Sequence, residues 1–133
     1  MDLNRLTAIP LFSALSEDEA KRLATFATET SVAEGQTVIK EGDYSTELIA
    51  IEEGTADVLR SGKRIASLGP GELIGEMGLL ARQARNVDVV ATSPMRVIKL
   101  THWEIRRMSR DTVARIEQIV EERRRAGVAD PAN

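Results

Sequence analysis

Cysteine is absent from the sequence, and only one histidine, His102, occurs among its 133 residues. Without cysteine the protein cannot form disulfide bonds or thiolate metal sites. Zinc and iron sites usually combine several imidazoles, so a single histidine also argues against a centre of that kind. We therefore expect neither a metal nor a cofactor, and we interpret His102 as a solvated residue at a helix start.

An excess of positive charge and long apolar runs are also lacking. The net charge is −3 at pH 7, which does not provide the basic face that binding to a nucleic-acid backbone requires. No apolar run approaches the roughly 20 residues that cross a bilayer. The N-terminus lacks the basic and apolar regions of a signal peptide. We expect a cytoplasmic protein with neither a nucleic-acid nor a membrane partner.

The length of the chain suits a single domain. We place this domain at residues 1–126 and interpret residues 127–133 as a flexible tail. Near the start, Ser16 and Glu19 have the spacing of a capping box, in which each side chain binds the other residue's backbone N–H. This pattern predicts an N-terminal helix that begins directly after Ser16.

The last third of the chain is predicted to be helical again. Thr101 and Glu104 have the spacing of a second capping box and predict a short helix through about Met108. Asp111 is expected to cap the final helix. One apolar stripe runs along this helix and consists of Val113, Ile116, Ile119 and Val120.

Between about residues 30 and 100 the pattern changes to strands. Short β-favouring runs such as QTVIK, ELIAIEE and RVIKL are separated by glycines. Frequent turns of this kind are typical of an antiparallel sandwich or a barrel of the jelly-roll type. Ser61 and Gly62 are suited to the tip of a tight hairpin. The predicted fold is mainly β with flanking helices.

The segment GELIGEMGLLARQARNV, residues 71–87, contains more glycines than its turns require. One helical turn at GEMGLL would direct several backbone N–H groups at a single point, where an anion can bind. Gly75 and Gly78 let a ligand approach the backbone, and Arg85 supplies a planar fork suited to two phosphate oxygens. Glu76 can only accept hydrogen bonds, so it fits a ligand with a hydroxyl group beside its phosphate. Together these residues predict a nucleotide whose phosphate is folded back against its sugar.

This segment resembles the phosphate-binding cassette of the cyclic nucleotide-binding domain family. The cassette reads roughly Gly-Glu-x-small-Leu-Leu, four residues, then Arg; here Gly75 to Leu80 and Arg85 match it without a gap. The likeness extends over nearly the whole chain and includes IPLFSALSEDEAKRLA, VIKEGD, ELIAIEEGTADV and RVIKLTHWEI. It implies an eight-stranded antiparallel β-roll of the jelly-roll type, with an N-terminal helix and C-terminal helices that act as a lid.

The resemblance also implies a role for each residue of the cassette. Glu76 would accept a hydrogen bond from the ribose 2′-hydroxyl, and Arg85 would bind the exocyclic phosphate oxygens. The phosphate site would be completed by backbone N–H groups of Met77, Gly78 and Asn86. The base and sugar side would be lined by Ile74 and Leu73, with Val89 across the barrel. The full predicted ligand set is Ile74, Gly75, Glu76, Met77, Gly78, Leu79, Arg85, Asn86 and Val87.

Four positions depart from the family pattern. Ala84 replaces the proline that usually precedes the arginine, which leaves the loop with more conformational freedom. Asn86 replaces a smaller residue, and Val87 replaces an alanine and would narrow the pocket. Asp88 stands where threonine or serine is common. Its charge would repel a phosphate if it faced the ligand, but the alternation of side chains along a strand favours an outward position.

The interpretation that follows is a non-enzymatic sensor, in which a cyclic nucleotide binds and the C-terminal helix changes position. Cyclic AMP is favoured over cyclic GMP, because Asn86 is not the threonine that favours cyclic GMP in relatives. A partner or attached effector domain would read the output, and homodimerisation through the C-terminal helix stays open. The alternative is a β-roll interaction domain that has lost nucleotide binding, to which Val87 and Asp88 point. A metal-dependent enzyme of the cupin type is disfavoured by the single histidine.

Overall fold

The computed structural model describes residues 2–13, 15–43, 47–74, 87–108 and 110–125. Within these residues the helices are α1 (Leu3–Thr7), α2 (Pro10–Ser13), α3 (Glu17–Phe26), α4 (His102–Arg106) and α5 (Arg110–Arg125). The strands are β1 (Thr28–Val32), β2 (Thr37–Ile39), β3 (Glu47–Glu53), β4 (Ala56–Arg60), β5 (Lys63–Leu68), β6 (Leu73–Ile74), β7 (Asp88–Ala91) and β8 (Met95–Thr101).

The strands form two four-stranded sheets in the described part of the chain. Their orders are β1-β8-β3-β6 and β2-β7-β4-β5, and every neighbouring pair is antiparallel. The predicted β-roll with flanking helices is thereby confirmed. Strand β6 belongs to the first sheet, whereas β5 and β7 belong to the second, so the chain crosses between the sheets before and after β6.

Strand β3 is buried on both of its faces. Ile49 and Ile51 belong to the apolar cluster between the two sheets, which we call the barrel cluster. Leu48 and Ala50 belong to the apolar cluster beneath the helices, which we call the helical cluster. Successive side chains of a strand point to opposite faces, so one short apolar run can supply two cores. This explains why the four central residues of ELIAIEE, Leu48 to Ile51, are all apolar.

The N-terminal capping box is present as predicted. The Ser16 backbone N–H donates to Glu19 Oε1 over 2.9 Å, and the Glu19 N–H donates to Ser16 Oγ over 3.2 Å. At the second predicted box, the Glu104 N–H donates to Thr101 Oγ1 over 3.3 Å. The Oε2 atom of Glu104 is buried and has no hydrogen-bond partner among the described residues, so this oxygen does not close the second box.

Two helix boundaries differ from the prediction. Helix α4 ends at Arg106 rather than near Met108, although it begins at His102, whose side chain lies outside the described residues. Helix α5 begins at Arg110, so Asp111 lies in its first turn rather than at its cap. A carboxylate in the first turn still favours the helix because the N-terminal end of the helix dipole is positive.

The hairpin predicted at Ser61 and Gly62 joins β4 and β5. Both residues have positive φ angles, 52° at Ser61 and 79° at Gly62. Two consecutive positive φ angles define the turn whose twist matches that of an antiparallel hairpin. The register Arg60↔Lys63 directly outside these two residues confirms the predicted tip.

Helix α5 packs on the N-terminal helices. Ile116 is fully buried in the helical cluster, and Val113 packs against the same cluster. Arg115 Nη1 also donates to Glu19 Oε1 over 2.7 Å, which ties α5 to the start of α3. In this structure Val113 and Ile116 therefore cover the helical cluster and not the barrel cluster, and the movement of the C-terminal helix over a bound ligand stays a prediction. The side chains of Ile119 and Val120 lie outside the described residues.

Candidate functional site

Most of the predicted cassette lies outside the described residues. This applies to Gly75, Glu76, Met77, Gly78, Leu79, Arg85 and Asn86, and to the departure at Ala84. Their assignments as ligand-binding residues stay predictions. The structure describes the two positions that flank this segment, Ile74 before it and Val87 after it.

The segment begins at β6, which is short but firmly held to β3. Ile49 and Ile74 are partners in the register of these strands. Before β6 begins, the Ile51 N–H donates to the Glu72 carbonyl over 2.9 Å, and the Gly71 N–H donates to the Ile51 carbonyl over 2.8 Å. These bonds extend the pairing of β6 backwards along β3. The start of the cassette is thereby fixed to the first sheet.

The segment ends at β7, which lies between β2 and β4 in the second sheet. Val87, directly before this strand, is fully buried in the barrel cluster. The next residue, Asp88, accepts a hydrogen bond at Oδ1 from the Glu41 N–H over 2.7 Å. The carboxylate thus holds the turn after β2, which agrees with the outward position that strand alternation favours. Since its oxygen is bound there, Asp88 has a structural role at this position.

The apolar residues predicted beside the ligand separate into two groups. Ile74 and Val89 are both fully buried in the barrel cluster, together with Val87. Leu73 belongs to the helical cluster instead, so it does not line the same space. The reason is the alternation of side chains along β6, which sends neighbouring residues to opposite faces. The expectation that Leu73 lines the pocket is therefore wrong.

A group of charged residues joins α1 to the first sheet. Arg5 binds Glu52 with two nitrogens, one of them Nε at 2.8 Å from Oε2, and its remaining nitrogen pairs with Glu29. Arg96 Nε lies 3.9 Å from Glu52 Oε1. The hydrogen bond to Glu52 raises the pKa of Arg5 above its ordinary value, against the lowering effect of desolvation. Arg5 therefore stays charged and holds the first helix against β1 and β3.

A cleft of about 480 Å³ lies beside this group, between α1 and the turn that precedes β6. It is lined by Asn4, Arg5, Ala8, Ile9, Ile51, Glu52, Pro70 and Gly71. Ile74 and Val87, the two predicted ligand residues that the structure describes, do not line it. Its arginine already binds two carboxylates, Glu52 and Glu29. We therefore do not assign the nucleotide to this cleft.

No pattern in the sequence indicates the charged group around Arg5 or the bond between Asp88 and Glu41. Arg5 and Glu52 are 47 positions apart, as are Glu41 and Asp88. No local spacing rule connects residues at such separations. Only the strand order places them side by side, so the sequence carried no signal for either contact.

The described residues contain no group of three or more histidine, aspartate or glutamate side chains that could hold a metal ion. In the same part of the chain, no helix combines the length and the apolar composition that crossing a membrane requires.

Comparison with protein families gives a match to the family described as "Cyclic nucleotide-binding domain" over residues 29–112. The match includes both strands that flank the cassette. Over 109 residues the chain is 31% identical to the cAMP-dependent protein kinase type II regulatory subunit of Drosophila melanogaster. That alignment covers 79% of this chain and 28% of the relative.

A second relative is glutaminase 2 of Bradyrhizobium diazoefficiens, which is 36% identical over 110 residues. This alignment covers 80% of the chain and 18% of the relative. The chain therefore spans less than a third of the length of either protein. Among solved structures, the regulatory subunit of a cAMP-independent protein kinase A from Trypanosoma brucei is similar, with a TM-score of 0.80 and 25% identity. The similarity covers 92% of this chain and 44% of that one.

Proposed function

Because the chain belongs to the cyclic nucleotide-binding domain family, we propose that it is a regulatory module that binds a cyclic nucleotide in the segment 75–86. Cyclic AMP is the favoured ligand. The relative from Drosophila melanogaster is named for its dependence on cyclic AMP, and Asn86 is not the threonine associated with cyclic GMP.

The observation that carries this proposal is the position of Ile74 and Val87. Both are fully buried in the barrel cluster, although they enter it from different sheets. The cassette is therefore attached at both ends to one rigid apolar core. A loop on a rigid support can position polar groups with less loss of entropy on binding than a loop with free ends.

Glu76 and Arg85 supply the polar contacts in this proposal. The guanidinium of Arg85 binds two exocyclic phosphate oxygens, a geometry that its planar fork favours. Glu76 accepts a hydrogen bond from the ribose 2′-hydroxyl. The base and sugar then lie beside the barrel cluster, to which Ile74 and Val89 belong.

The output of binding is proposed to pass through α5. This helix is held by the buried side chain of Ile116 and by the ion pair between Arg115 and Glu19. Ligand binding shifts such a helix only to the extent that the ligand prefers one of its positions. An effector domain or a partner protein responds to the new position of α5. The module itself is not an enzyme. We keep the cytoplasm as its proposed location.

A second candidate is an interaction domain of the same fold that does not bind cyclic nucleotides. Val87 favours this candidate, because its branched side chain occupies core volume where the family usually has alanine. The relative from Trypanosoma brucei is described as a subunit of a cAMP-independent kinase. The two candidates differ in one property that is easily measured, namely stabilisation by the ligand.

Thermal unfolding with cyclic AMP, cyclic GMP and AMP separates the two candidates. A ligand at 100 times its dissociation constant adds about 2.7 kcal/mol to the unfolding free energy, which raises the Tm by several degrees in a domain of this size. We expect this rise with cyclic AMP, none with AMP, and none in the variant Arg85→Ala. The control is Arg22→Ala, which removes an exposed arginine from α3 and should keep the rise. No rise with either cyclic nucleotide at millimolar concentration would favour the interaction domain.

A further inference from the structure

The hairpin of β4 and β5 forms one end of the second sheet. In the described part of the chain, β5 pairs only with β4, so its other edge has no strand partner. With six residues, β5 is longer than the other edge strands, since β1 has five, β2 three and β6 two. An open edge of this length presents backbone donors and acceptors to which another extended chain can bind.

This edge also carries an exposed apolar side chain. Ile65 is 46% exposed and is the one large hydrophobic residue found exposed in the described ranges. The register of the hairpin shifts next to it, with Arg64 opposite Leu59 and Ala66 opposite Val58. Ile65 is therefore the extra residue of a β-bulge, a feature that redirects a side chain. The regular register resumes at Ala66, so the bulge leaves the second half of the strand undistorted.

The hairpin has a positive charge that contrasts with the net charge of −3 of the whole chain. Arg60, Lys63 and Arg64 surround its tip, and all three are exposed. None of them forms an ion pair with a carboxylate in the described part of the chain. The nearest acid along the hairpin, Asp57, already accepts the Ser67 hydroxyl over 2.9 Å.

Cations on an edge strand commonly prevent a sheet from pairing with another copy of itself. Here the charges should prevent pairing with another copy of the protein but not with every strand, because all three are positive. A second copy of this hairpin would bring three more cations and would be repelled. A strand that carries carboxylates would be attracted by the same residues. The exposed Ile65 would then gain an apolar contact that water does not provide.

We propose that β5 is a docking edge for an extended, acidic segment of a partner protein. The segment adds to the second sheet as a further strand beside Lys63–Leu68. Its carboxylates pair with the three cations at the tip, and one apolar residue of the segment covers Ile65. This interaction does not depend on the cyclic nucleotide, because the hairpin contributes no residue to the predicted cassette.

Nuclear magnetic resonance of the 15N-labelled full chain tests the proposal. The probe is the peptide acetyl-Glu-Val-Glu-Val-Glu-amide, titrated to millimolar concentration. One comparison peptide replaces glutamate by lysine. The other keeps the glutamates but carries N-methyl groups on both valines, so that it loses backbone donors without losing charge. We expect saturable shifts at residues 63–68 with the first peptide and much weaker ones with the other two.

Charge reversal supplies the matched variants. Lys63→Glu combined with Arg64→Glu should weaken the binding of the acidic peptide by about tenfold or more, as expected when two exposed ion pairs become repulsive. Arg22→Glu reverses an exposed charge on α3 and should leave the affinity unchanged. Both variants should keep the dispersed amide resonances and the melting temperature of the parent protein, which shows that they are folded.

Four results would overturn the proposal. They are the absence of saturable shifts at β5, equal binding of the lysine peptide, equal binding of the N-methylated peptide, and equal weakening by Arg22→Glu. Vesicles that contain phosphatidylserine provide a further comparison. If they shift the resonances of residues 63–68 and the acidic peptide does not, the hairpin is a membrane-binding element and the proposed protein partner is wrong.

Discussion

Glu19 and Arg115 connect helix α3 to helix α5 through a single oxygen atom of the Glu19 carboxylate. Glu19 Oε1 accepts the Ser16 backbone N–H over 2.9 Å and the Arg115 Nη1 over 2.7 Å. The same atom thus closes the capping box of α3 and binds α5. The side chain of Glu19 is 13% exposed and that of Arg115 is 45% exposed. The carboxylate is therefore the more constrained member of the pair.

Replacing Glu19 is expected to cost more stability than replacing Arg115. Glu19→Ala removes half of the capping box as well as the ion pair, and should lower the unfolding free energy by about 1–2 kcal/mol. Arg115→Ala removes only a partly exposed ion pair and should cost about 0.2–1 kcal/mol. Urea unfolding measures both values. The double variant should match Glu19→Ala alone; strictly additive losses would show that the two residues do not interact.

Because α5 packs on the N-terminal helices, truncation of Ile116 is expected to lower the unfolding free energy strongly. This side chain is 1% exposed, so Ile116→Ala should leave a cavity and lower the unfolding free energy by about 2–5 kcal/mol. Ile65→Ala is the matched control, because the same atoms are removed from a side chain that is 46% exposed. It should cost less than about 1 kcal/mol. Similar losses at the two positions would mean that α5 is not packed as described.

Alanine substitutions at Gly54 and Gly42 provide a second matched comparison of stability. Their φ angles are nearly equal, 92° and 90°, so alanine is strained at both positions. At Gly42 an added Cβ would meet no atom within 4 Å, whereas at Gly54 it would lie 2.4 Å from the carbonyl oxygen of Pro94. Gly42→Ala should cost about 1–2 kcal/mol from backbone strain alone. Gly54→Ala should cost clearly more, because backbone atoms must move. Thermal or urea unfolding of the two variants makes the comparison, and equal losses would exclude the close contact with Pro94.

The charged group around Arg5 predicts a salt-sensitive attachment of the first helix. Arg5→Ala leaves Glu52 and Glu29 without their shared cation, so the unfolding free energy should fall at low ionic strength. The difference from the parent protein should shrink at about 1 M salt, where charges are screened over roughly 3 Å. Parallel urea titrations in low and high salt test this. A difference that is unaffected by salt would mean that Arg5 stabilises α1 by packing alone.

Features with a local signal could be predicted from the sequence. The capping box at Ser16 and the hairpin at Ser61 depend on residues within a few positions of each other, and both are present. The burial of both faces of β3 was not predicted, although the uninterrupted apolar residues 48–51 agree with it. The likeness to the cyclic nucleotide-binding domain family supplied the strand number and the expected place of the ligand.

The remaining features depend on contacts between distant parts of the chain. The apolar stripe of α5 was recognised, but nothing in it indicated whether Ile116 would cover the barrel or the N-terminal helices. Leu73 was placed beside the ligand on the basis of the family resemblance, although the face that each residue of β6 occupies is fixed only by its pairing with β3. The partners of Arg5 and Asp88 likewise follow from the strand order, which single-sequence patterns do not determine.

In the proposed function, Glu76 recognises the ribose of a cyclic nucleotide by accepting a hydrogen bond from its 2′-hydroxyl. Isothermal titration of cyclic AMP and 2′-deoxy cyclic AMP, with the parent protein and with Glu76→Ala, tests it directly. A hydrogen bond to a charged acceptor contributes about 1.5–3 kcal/mol, which corresponds to about tenfold or more in affinity. We expect the parent protein to bind 2′-deoxy cyclic AMP more weakly than cyclic AMP by this factor, and Glu76→Ala to bind the two nucleotides with equal affinity. Equal affinity of the parent protein for the two nucleotides, or no binding of either, would contradict it.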